Sequence, residues 1–120
     1  MNAQELADRY VAVWNERDAA ARRRMIEELW QPNGEHYIGD REARGYDALE
    51  LRIVGSHEKN VRDAGNSFRA LPDARRLRDV VCFHWEMLRP PGDDVAAVGL
   101  EILLIDDAGR IRTDYQFIVK

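Results

Sequence analysis

The sequence contains only one cysteine, Cys82, so no disulfide can form within the chain. Cys82 lies between Val81 and Phe83, where a free cysteine usually acts as a small core residue rather than as a nucleophile. No apolar stretch approaches the roughly 20 residues that a membrane-spanning helix needs. The first residues also lack the charged and then apolar pattern of an export signal. We therefore expect a cytoplasmic protein with no membrane partner.

Several motifs that carry chemistry are missing as well. The chain has no GxSxG elbow, phosphate-binding glycine loop or dinucleotide fingerprint, which argues against covalent serine chemistry and nucleotide binding. It has no CxxC, HxxxH or HExxH metal motif. His84 and Glu86 lie two residues apart and could face one cation, but cross-strand salt bridges explain the pair equally well. We expect neither a metal nor another cofactor.

The charge balance excludes another class of partner. The formal net charge is -4, and the arginines are interspersed with acids. This pattern offers no basic face for a phosphate backbone, so we expect no nucleic-acid partner. The length of 120 residues fits one domain, residues 1–120, and is too short for two independent cores.

Apolar residues recur at helical spacing in three segments. The pattern predicts a first helix over 4–16, a second from an Asp18 cap through 29, and a third from near Asp47, where Glu50 completes a capping box. The basic run 22–24, with acids one turn later, is typical of a solvated helix face.

The remaining pattern predicts strands and turns. Strands are expected over 35–38, 66–70 and 76–88, with a turn at 31–34 and a polar loop at 39–45. Residues 95–120 read as a long β-hairpin around Asp106 to Gly109. The resulting order is α-α-β-α-β-β-β-β, an α+β protein with its helices gathered on one face of a curved antiparallel sheet.

Two acids in this hairpin lie where a buried strand should avoid charge. Glu101 stands among Leu100, Ile102 and other apolar residues, and Asp114 lies in the second strand. A buried carboxylate is costly unless it is paired, hydrogen-bonded or protonated. Either these acids form a site, or Glu101 pairs with an arginine such as Arg112 or Arg89 and Asp114 faces solvent.

Three segments resemble a known superfamily: RYVAVWNERD at 9–18, G-x-x-x-L at 45–49, and GLEILLIDDAGRI at 99–111. They resemble the nuclear-transport-factor-two-like domains of the SnoaL-like and ketosteroid-isomerase-like branch. The resemblance implies a cone-shaped α+β barrel, in which a curved mixed or antiparallel sheet wraps around about three N-terminal helices. It also implies one deep pocket and a homodimer formed through the outer sheet face.

The ketosteroid isomerases offer a comparison by residue. Their oxyanion-binding tyrosine matches Tyr10, their buried acidic donor matches Glu101, and their catalytic base matches His36. Asp114 would either orient His36 or act as the base itself, as the acids of SnoaL-like cyclases do. The other interpretation of Tyr10 is a simple core residue.

This chain also departs from those isomerases. Asp114 and Gln116 stand where the steroid enzymes have apolar residues on the last strand, so we expect a smaller or more oxygenated carbonyl or aromatic ligand than a steroid. Trp14 and Gln116 are expected to contact it. The first hypothesis is a cofactor-independent isomerase, cyclase or dehydratase that uses acid-base chemistry next to a carbonyl. The alternatives are a small-ligand-binding module without turnover and a dimeric structural module.

Overall fold

The fold was analysed in a computed structural model that describes residues 1–120. The chain forms three α-helices and seven strands, and a π-helical segment follows the third helix. The elements are α1 (Ala3–Asn15), α2 (Ala19–Leu29), β1 (Trp30–Ile38), β2 (Arg41–Arg44), α3 (Gly45–Ser56), the π-helical segment (His57–Asp63), β3 (Ser67–Ala70), β4 (Arg75–Leu77), β5 (Val80–Arg89), β6 (Asp94–Ile105) and β7 (Ile111–Ile118).

The first two helices begin at side-chain caps. Asn2 accepts a hydrogen bond from the amide of Glu5 at the start of α1, and Asp18 accepts one from the amide of Ala21 at the start of α2. Such caps satisfy backbone donors that lack a partner within the helix. Both predicted helices are confirmed to within one residue. No helix combines the length and the apolar character needed to cross a membrane.

The seven strands form one open, mixed sheet in the order β2-β1-β7-β6-β5-β3, with β4 paired to β5. β1 runs parallel to β7, whereas the other pairs are antiparallel. The predicted hairpin is confirmed as β6 and β7, and its turn contains Gly109 with a φ of 83°. A left-handed φ suits glycine, which has no Cβ to clash. The architecture confirms the predicted α+β cone.

The helices cover one face of this sheet, which we call the inner face. Alternation along the strands directs Glu101, Leu103, Asp114 and Gln116 towards it. The main core cluster lies there and includes residues of α1, α2 and α3. The two acids of the hairpin therefore point into the protein interior.

Three predicted boundaries are wrong. β1 begins at Trp30, because the segment predicted to turn at 31–34 continues as an irregular part of the strand. The polar loop predicted at 39–45 contains the edge strand β2, whose backbone hydrogen bonds to β1 compensate for its polar composition. The strand predicted at 76–88 is divided, because Arg78 adopts a left-handed φ of 53° between β4 and β5.

Two helix predictions also need correction. Arg44 occupies the cap position of α3 without a side-chain hydrogen bond, so Asp47 and Glu50 form no capping box. Both acids bind Arg23 instead, at 2.9 and 3.0 Å. Arg22 is buried rather than solvated, and its guanidinium donates to backbone carbonyls at the end of α1 and in the following turn.

Candidate functional site

A cavity of about 500 Å³ lies between the inner face of the sheet and the helices. α1 contributes Tyr10 and Trp14 to its wall, and α3 with the π-helical segment forms a second side. Glu101 and Gln116 line it from the sheet. Apolar residues make up the majority of the remaining wall, which is typical of small-molecule sites.

Asp114 accepts two hydrogen bonds at one end of this cavity. Its Oδ2 atom lies 2.6 Å from the hydroxyl of Tyr10 and 2.7 Å from Nδ1 of His36. Parallel pairing of β1 with β7 places His36 directly beside Asp114, while Tyr10 reaches it from α1. All three side chains are buried. Tyr10 is held in place by the rings of Trp14, Trp30 and Phe83.

Glu101 is fully buried and lies close to this group. Its Oε1 atom accepts a hydrogen bond of 2.9 Å from the indole nitrogen of Trp85. Trp85 pairs with Gly99 across β5 and β6, and a Cβ added at Gly99 would lie 2.1 Å from the indole ring. Gly99 therefore provides the space in which Trp85 can reach Glu101.

The environments of the two acids shift their pKa values in opposite directions. Burial raises the pKa of Glu101 well above its usual range, and the neighbouring charge of Asp114 raises it further. Burial also opposes ionisation of Asp114, but the charge of His36 and hydrogen bonds from Glu101, His36 and Tyr10 outweigh it and lower the pKa of Asp114. The pair thus favours a protonated Glu101 next to an ionised Asp114.

Unpaired oxygen atoms fit the assignment of a proton to Glu101 and a negative charge to Asp114. Oε2 of Glu101 and Oδ1 of Asp114 are buried and lack another hydrogen-bond partner. One oxygen of each acid and a ring nitrogen of His36 lie within 4.8 Å of one another. At this separation the charge on one carboxyl group opposes ionisation of the other. Burial and the two acids also raise the pKa of Tyr10, which favours its neutral form as a hydrogen-bond donor.

Three residues of this group could also hold a metal ion. His36, Glu101 and Asp114 supply the imidazole and carboxylate ligands used by several divalent cations. Nδ1 of His36 and Oδ2 of Asp114 are engaged with each other at 2.7 Å. Nε2 of His36, Oε2 of Glu101 and Oδ1 of Asp114 have no hydrogen-bond partner, so that hydrogen bond does not by itself exclude a cation.

We call Tyr10, His36, Glu101 and Asp114 the acid cluster, since the structure brings all four predicted catalytic residues together. Tyr10 and Glu101 line the cavity, whereas His36 and Asp114 lie behind them. The predicted ligand contacts Trp14 and Gln116 also line the wall. In the structure Tyr10 donates to Asp114 rather than towards the cavity, and His36 orients Asp114.

The alternative interpretations of the acids are wrong. Arg112 lies near Asp79 on the surface instead of pairing with Glu101, and Asp114 has no solvent exposure. His84 and Glu86 form the salt bridges that were weighed against a metal site. Glu86 binds Arg69 on the adjacent strand, and His84 lies 2.7 Å from Asp73.

Sequence reasoning missed three residues of the site. Trp85 lies in an apolar strand pattern that does not distinguish a core residue from a site residue, and its indole nitrogen binds Glu101. Gly99 carried a usable signal, because a glycine within a strand often marks the close approach of another group. Arg52 lines the cavity from α3, but nothing in its local pattern distinguishes it from a solvated arginine.

Comparison with solved structures identifies the architecture. A SnoaL-like family protein from Agrobacterium tumefaciens, proposed to be an isomerase, superposes with a TM-score of 0.89 over 98% of this chain and 97% of that chain, at 23% identity. The chain has the nuclear-transport-factor-two-like (NTF2-like) fold. An NTF2-like protein with a cystatin-like fold from Novosphingobium aromaticivorans matches with a TM-score of 0.70 and 22% identity, covering 97% of this chain and 79% of that one.

Another structure with this NTF2-like fold is a protein from Sinorhizobium meliloti that is proposed to be a polyketide cyclase. It has a TM-score of 0.70 and 13% identity, and the match covers 98% of this chain and 100% of that chain. No protein-family model and no curated protein matches the sequence. The resemblance stated from the sequence is thus confirmed at the level of the fold, while function has to be argued from the site.

Proposed function

We propose that this NTF2-like protein is an enzyme of the isomerase, cyclase or dehydratase type that moves a proton next to a carbonyl group without a cofactor. One observation carries the proposal. Two buried acids with oppositely shifted pKa values lie within 4.8 Å of each other at the end of a cavity. Such a pair supplies an acid and a base at the same pH.

Glu101 is the acid in this proposal. It lines the cavity, its pKa is raised, and Trp85 fixes one of its oxygens. Its protonated carboxyl donates a hydrogen bond to the carbonyl oxygen of the ligand. That bond strengthens as negative charge develops on the oxygen while the neighbouring C–H bond breaks.

Asp114 is the base, and it acts through Tyr10. The hydroxyl of Tyr10 lies between Asp114 and the cavity. As the hydroxyl oxygen takes a proton from the carbon beside the carbonyl, its own proton passes to Asp114, and the electron pair of the C–H bond forms the enolate. His36 is a positioning residue, because it contacts Asp114 and does not line the cavity. This differs from the sequence expectation of a direct His36 base.

Proton exchange in heavy water tests the proposal without knowledge of the natural substrate. A panel of cyclic and aromatic ketones is incubated with the protein, and deuterium incorporation beside the carbonyl is followed by NMR. We expect exchange above the buffer rate for ketones that bind. Glu101→Gln and Asp114→Asn should each reduce it by about 100-fold or more, since positioned acid-base groups contribute on that order.

Glu28→Gln is the matched control, because it changes an exposed acid of α2 in the same way. Its exchange rate should equal that of the unmodified protein. Equal rates for Glu101→Gln and the unmodified protein would overturn the proposal. Binding of ketones without any exchange would favour a ligand-binding module instead. One observation supports that second candidate: Tyr10 already donates to Asp114, so the acid cluster is internally hydrogen-bonded without a ligand.

We also propose that two copies associate through the outer face of the sheet. Tyr115 and Phe117 of β7 point to that face and are 40% and 53% exposed. Leu100 and Ile102 lie opposite them on β6. Exposed apolar patches of this kind often form interfaces. Sedimentation should show a dimer that Phe117→Asp dissociates; a monomer at high protein concentration would contradict it.

A further inference from the structure

We propose that Arg52, assisted by Arg41 and Lys59, binds a carboxylate group on the ligand whose carbonyl contacts Glu101. The inference rests on the function proposed above and specifies its substrate class. We call these three residues the cationic wall. All of them line the cavity, where Glu101 is the single acidic residue. The cavity therefore carries an excess of positive charge although the whole chain is acidic.

None of the three cations has a carboxylate partner in the structure, as the ion pairs all use other residues. Several other arginines do find partners. Arg23 binds acids of α2 and α3, Arg62 binds Asp63, and the buried Arg22 donates to backbone carbonyls. A shortage of acceptors in the sequence does not explain the difference, since acids outnumber basic residues.

Arg52 has the features of a binding residue rather than a solvated one. Its side chain is half-buried, and its guanidinium lies 5.0 Å from the ring centre of Trp14. Its Nε atom is buried without an acceptor. Leaving a guanidinium N–H group out of water without a partner is unfavourable, and a planar carboxylate matches the two-pronged donor geometry of arginine.

Electrostatics agree with this geometry. Burial lowers the pKa of Arg52, and the nearby charge of Arg41 lowers it further. The charges of Tyr10, Glu101 and Asp114 raise the pKa of Arg52 by a smaller amount. An added anion would offset both the burial and the repulsion between the two arginines.

The backbone of this wall is itself unusual. α3 continues into the π-helical segment, which contributes Lys59 and Asn60 to the cavity. π-helical turns are rare and frequently occur at functional sites. The rest of the lining is largely apolar, with Trp14 and Phe68 among its residues. The ligand class that matches these groups combines a carbonyl for Glu101, an apolar or aromatic body, and a carboxylate for Arg52.

Binding of two matched probes tests the inference. Para-acetylbenzoate and para-acetylbenzamide share one aromatic ketone and differ in charge at the opposite end. Affinities are measured by quenching of tryptophan fluorescence, because Trp14 and Trp85 line the cavity. We expect the carboxylate to bind at least about 10-fold more tightly than the amide, as a charge-assisted arginine contact predicts. Arg52→Met should abolish that preference.

Arg24→Met is the control, because Arg24 is exposed on α2 and lies outside the cavity wall. It should keep the full preference. Arg52→Lys retains the charge but not the planar donor pair, so it should keep only part of the preference for the carboxylate probe. NMR of the Arg52 side-chain Nε–H group gives a second measurement in the unmodified protein, where titration with acetate should shift the resonance saturably. An equal affinity for the two probes, a preference that survives Arg52→Met, or an Nε–H resonance that acetate does not shift would each overturn the inference.

These results separate the inference from the proposed function. Glu101→Gln removes the acid of the proton-transfer step but leaves Arg52 in place. It should therefore keep the preference for the carboxylate probe while losing proton exchange. If Glu101→Gln exchanges protons as fast as the unmodified protein while Arg52→Met still loses the preference, the carboxylate site stands and the proposed chemistry fails.

Discussion

The acid cluster and the cationic wall differ in whether their charged groups have partners within the protein. In the acid cluster, His36 and Tyr10 both contact Asp114, and burial raises the pKa of Glu101. Each charge there is either paired or neutralised within the protein. Arg52, in the wall of the cavity, is half-buried with neither a carboxylate nor a backbone acceptor at Nε. The charge of Asp114 has partners within the acid cluster, whereas the charge of Arg52 has no carboxylate partner.

This difference separates two contributions to the site. The buried hydrogen bonds from Tyr10 and His36 to Asp114 stabilise the fold and fix the geometry of the reacting groups. A partly buried cation without a partner does not stabilise the fold, and it is available for binding. Substitutions in the two regions should therefore affect stability and binding differently, and the following predictions are ordered by the size of the expected effect.

The largest effect is expected for Asp114→Ala. It removes the acceptor of the Tyr10 hydroxyl and of His36, both of which are buried. We expect the free energy of unfolding to fall by about 3–5 kcal/mol, as when one member of a buried pair is lost. Urea denaturation measures it. Asp107→Ala, at an exposed turn position of the same hairpin, should change it by less than about 0.5 kcal/mol. A loss below about 1 kcal/mol for Asp114→Ala would contradict the comparison.

Gly99→Ala should have a smaller but clear effect. The new Cβ would lie 2.1 Å from the indole of Trp85, so the ring must move and its bond to Glu101 weakens. We expect a loss of about 1–3 kcal/mol, typical of overpacking, and a change in tryptophan fluorescence. Gly55→Ala is the matched control, because no atom lies within 4 Å of its new Cβ and alanine favours the helix. Similar stabilities for the two variants would refute the role assigned to Gly99.

Glu101→Gln should change how stability depends on pH. Because the pKa of Glu101 in the folded state lies above its usual value of 4.5, its contribution to stability is complete below that pH and is lost as the pH rises towards the raised pKa. Relative to the unmodified protein, the variant should gain about 1.4 kcal/mol per pH unit across that window. Denaturation at several pH values measures this. A difference that is constant with pH would show that Glu101 has no raised pKa.

The contribution of Asp114 to stability should depend on pH in the opposite direction. Its pKa is lowered below 3.8, so its contribution to stability is present above that pH and is lost as the pH falls through the folded-state pKa. The two acids therefore act in separate pH ranges. Effects of Glu101→Gln above pH 4.5 report on Glu101 itself.

The smallest effect on stability is expected for Arg52→Met. Methionine keeps an unbranched stem against Trp14 and removes a cation that has no partner. The free energy of unfolding should change by less than about 0.5 kcal/mol. The same urea measurement checks it, with Asp114→Ala as the contrasting variant. A loss above about 1.5 kcal/mol would mean that Arg52 stabilises the fold, and the contrast between the two regions would fail.

Patterns along the chain predicted much of this architecture. Helical spacing gave α1 and α2, and alternating residues gave β5 and the hairpin of β6 and β7. Local patterns failed where tertiary contacts override them. β2 has a polar composition and exists because β1 supplies its hydrogen bonds. Arg22 belongs to a basic run, yet it is buried because nearby backbone carbonyls accept its donors.

The candidate site was predictable in a similar, partial way. Glu101 and Asp114 attracted attention because ionised groups are costly in buried strands. Their partners could not be read from the sequence, since Tyr10 and Asp114 are separated by more than 100 positions along the chain. Arg52 was missed because the residues around a helical arginine do not show whether the folded protein supplies an acceptor for its guanidinium group.

The sequence by itself determined that two acids would lie in apolar strands of a hairpin, because alternation and turn chemistry are local properties of the chain. Only the tertiary structure decided what those acids do. The parallel pairing of β1 with β7 placed His36 beside Asp114, and the packing of Trp85 against Gly99 fixed Glu101. Proton affinity depends on burial and neighbouring charge, which arise only when distant segments pack together.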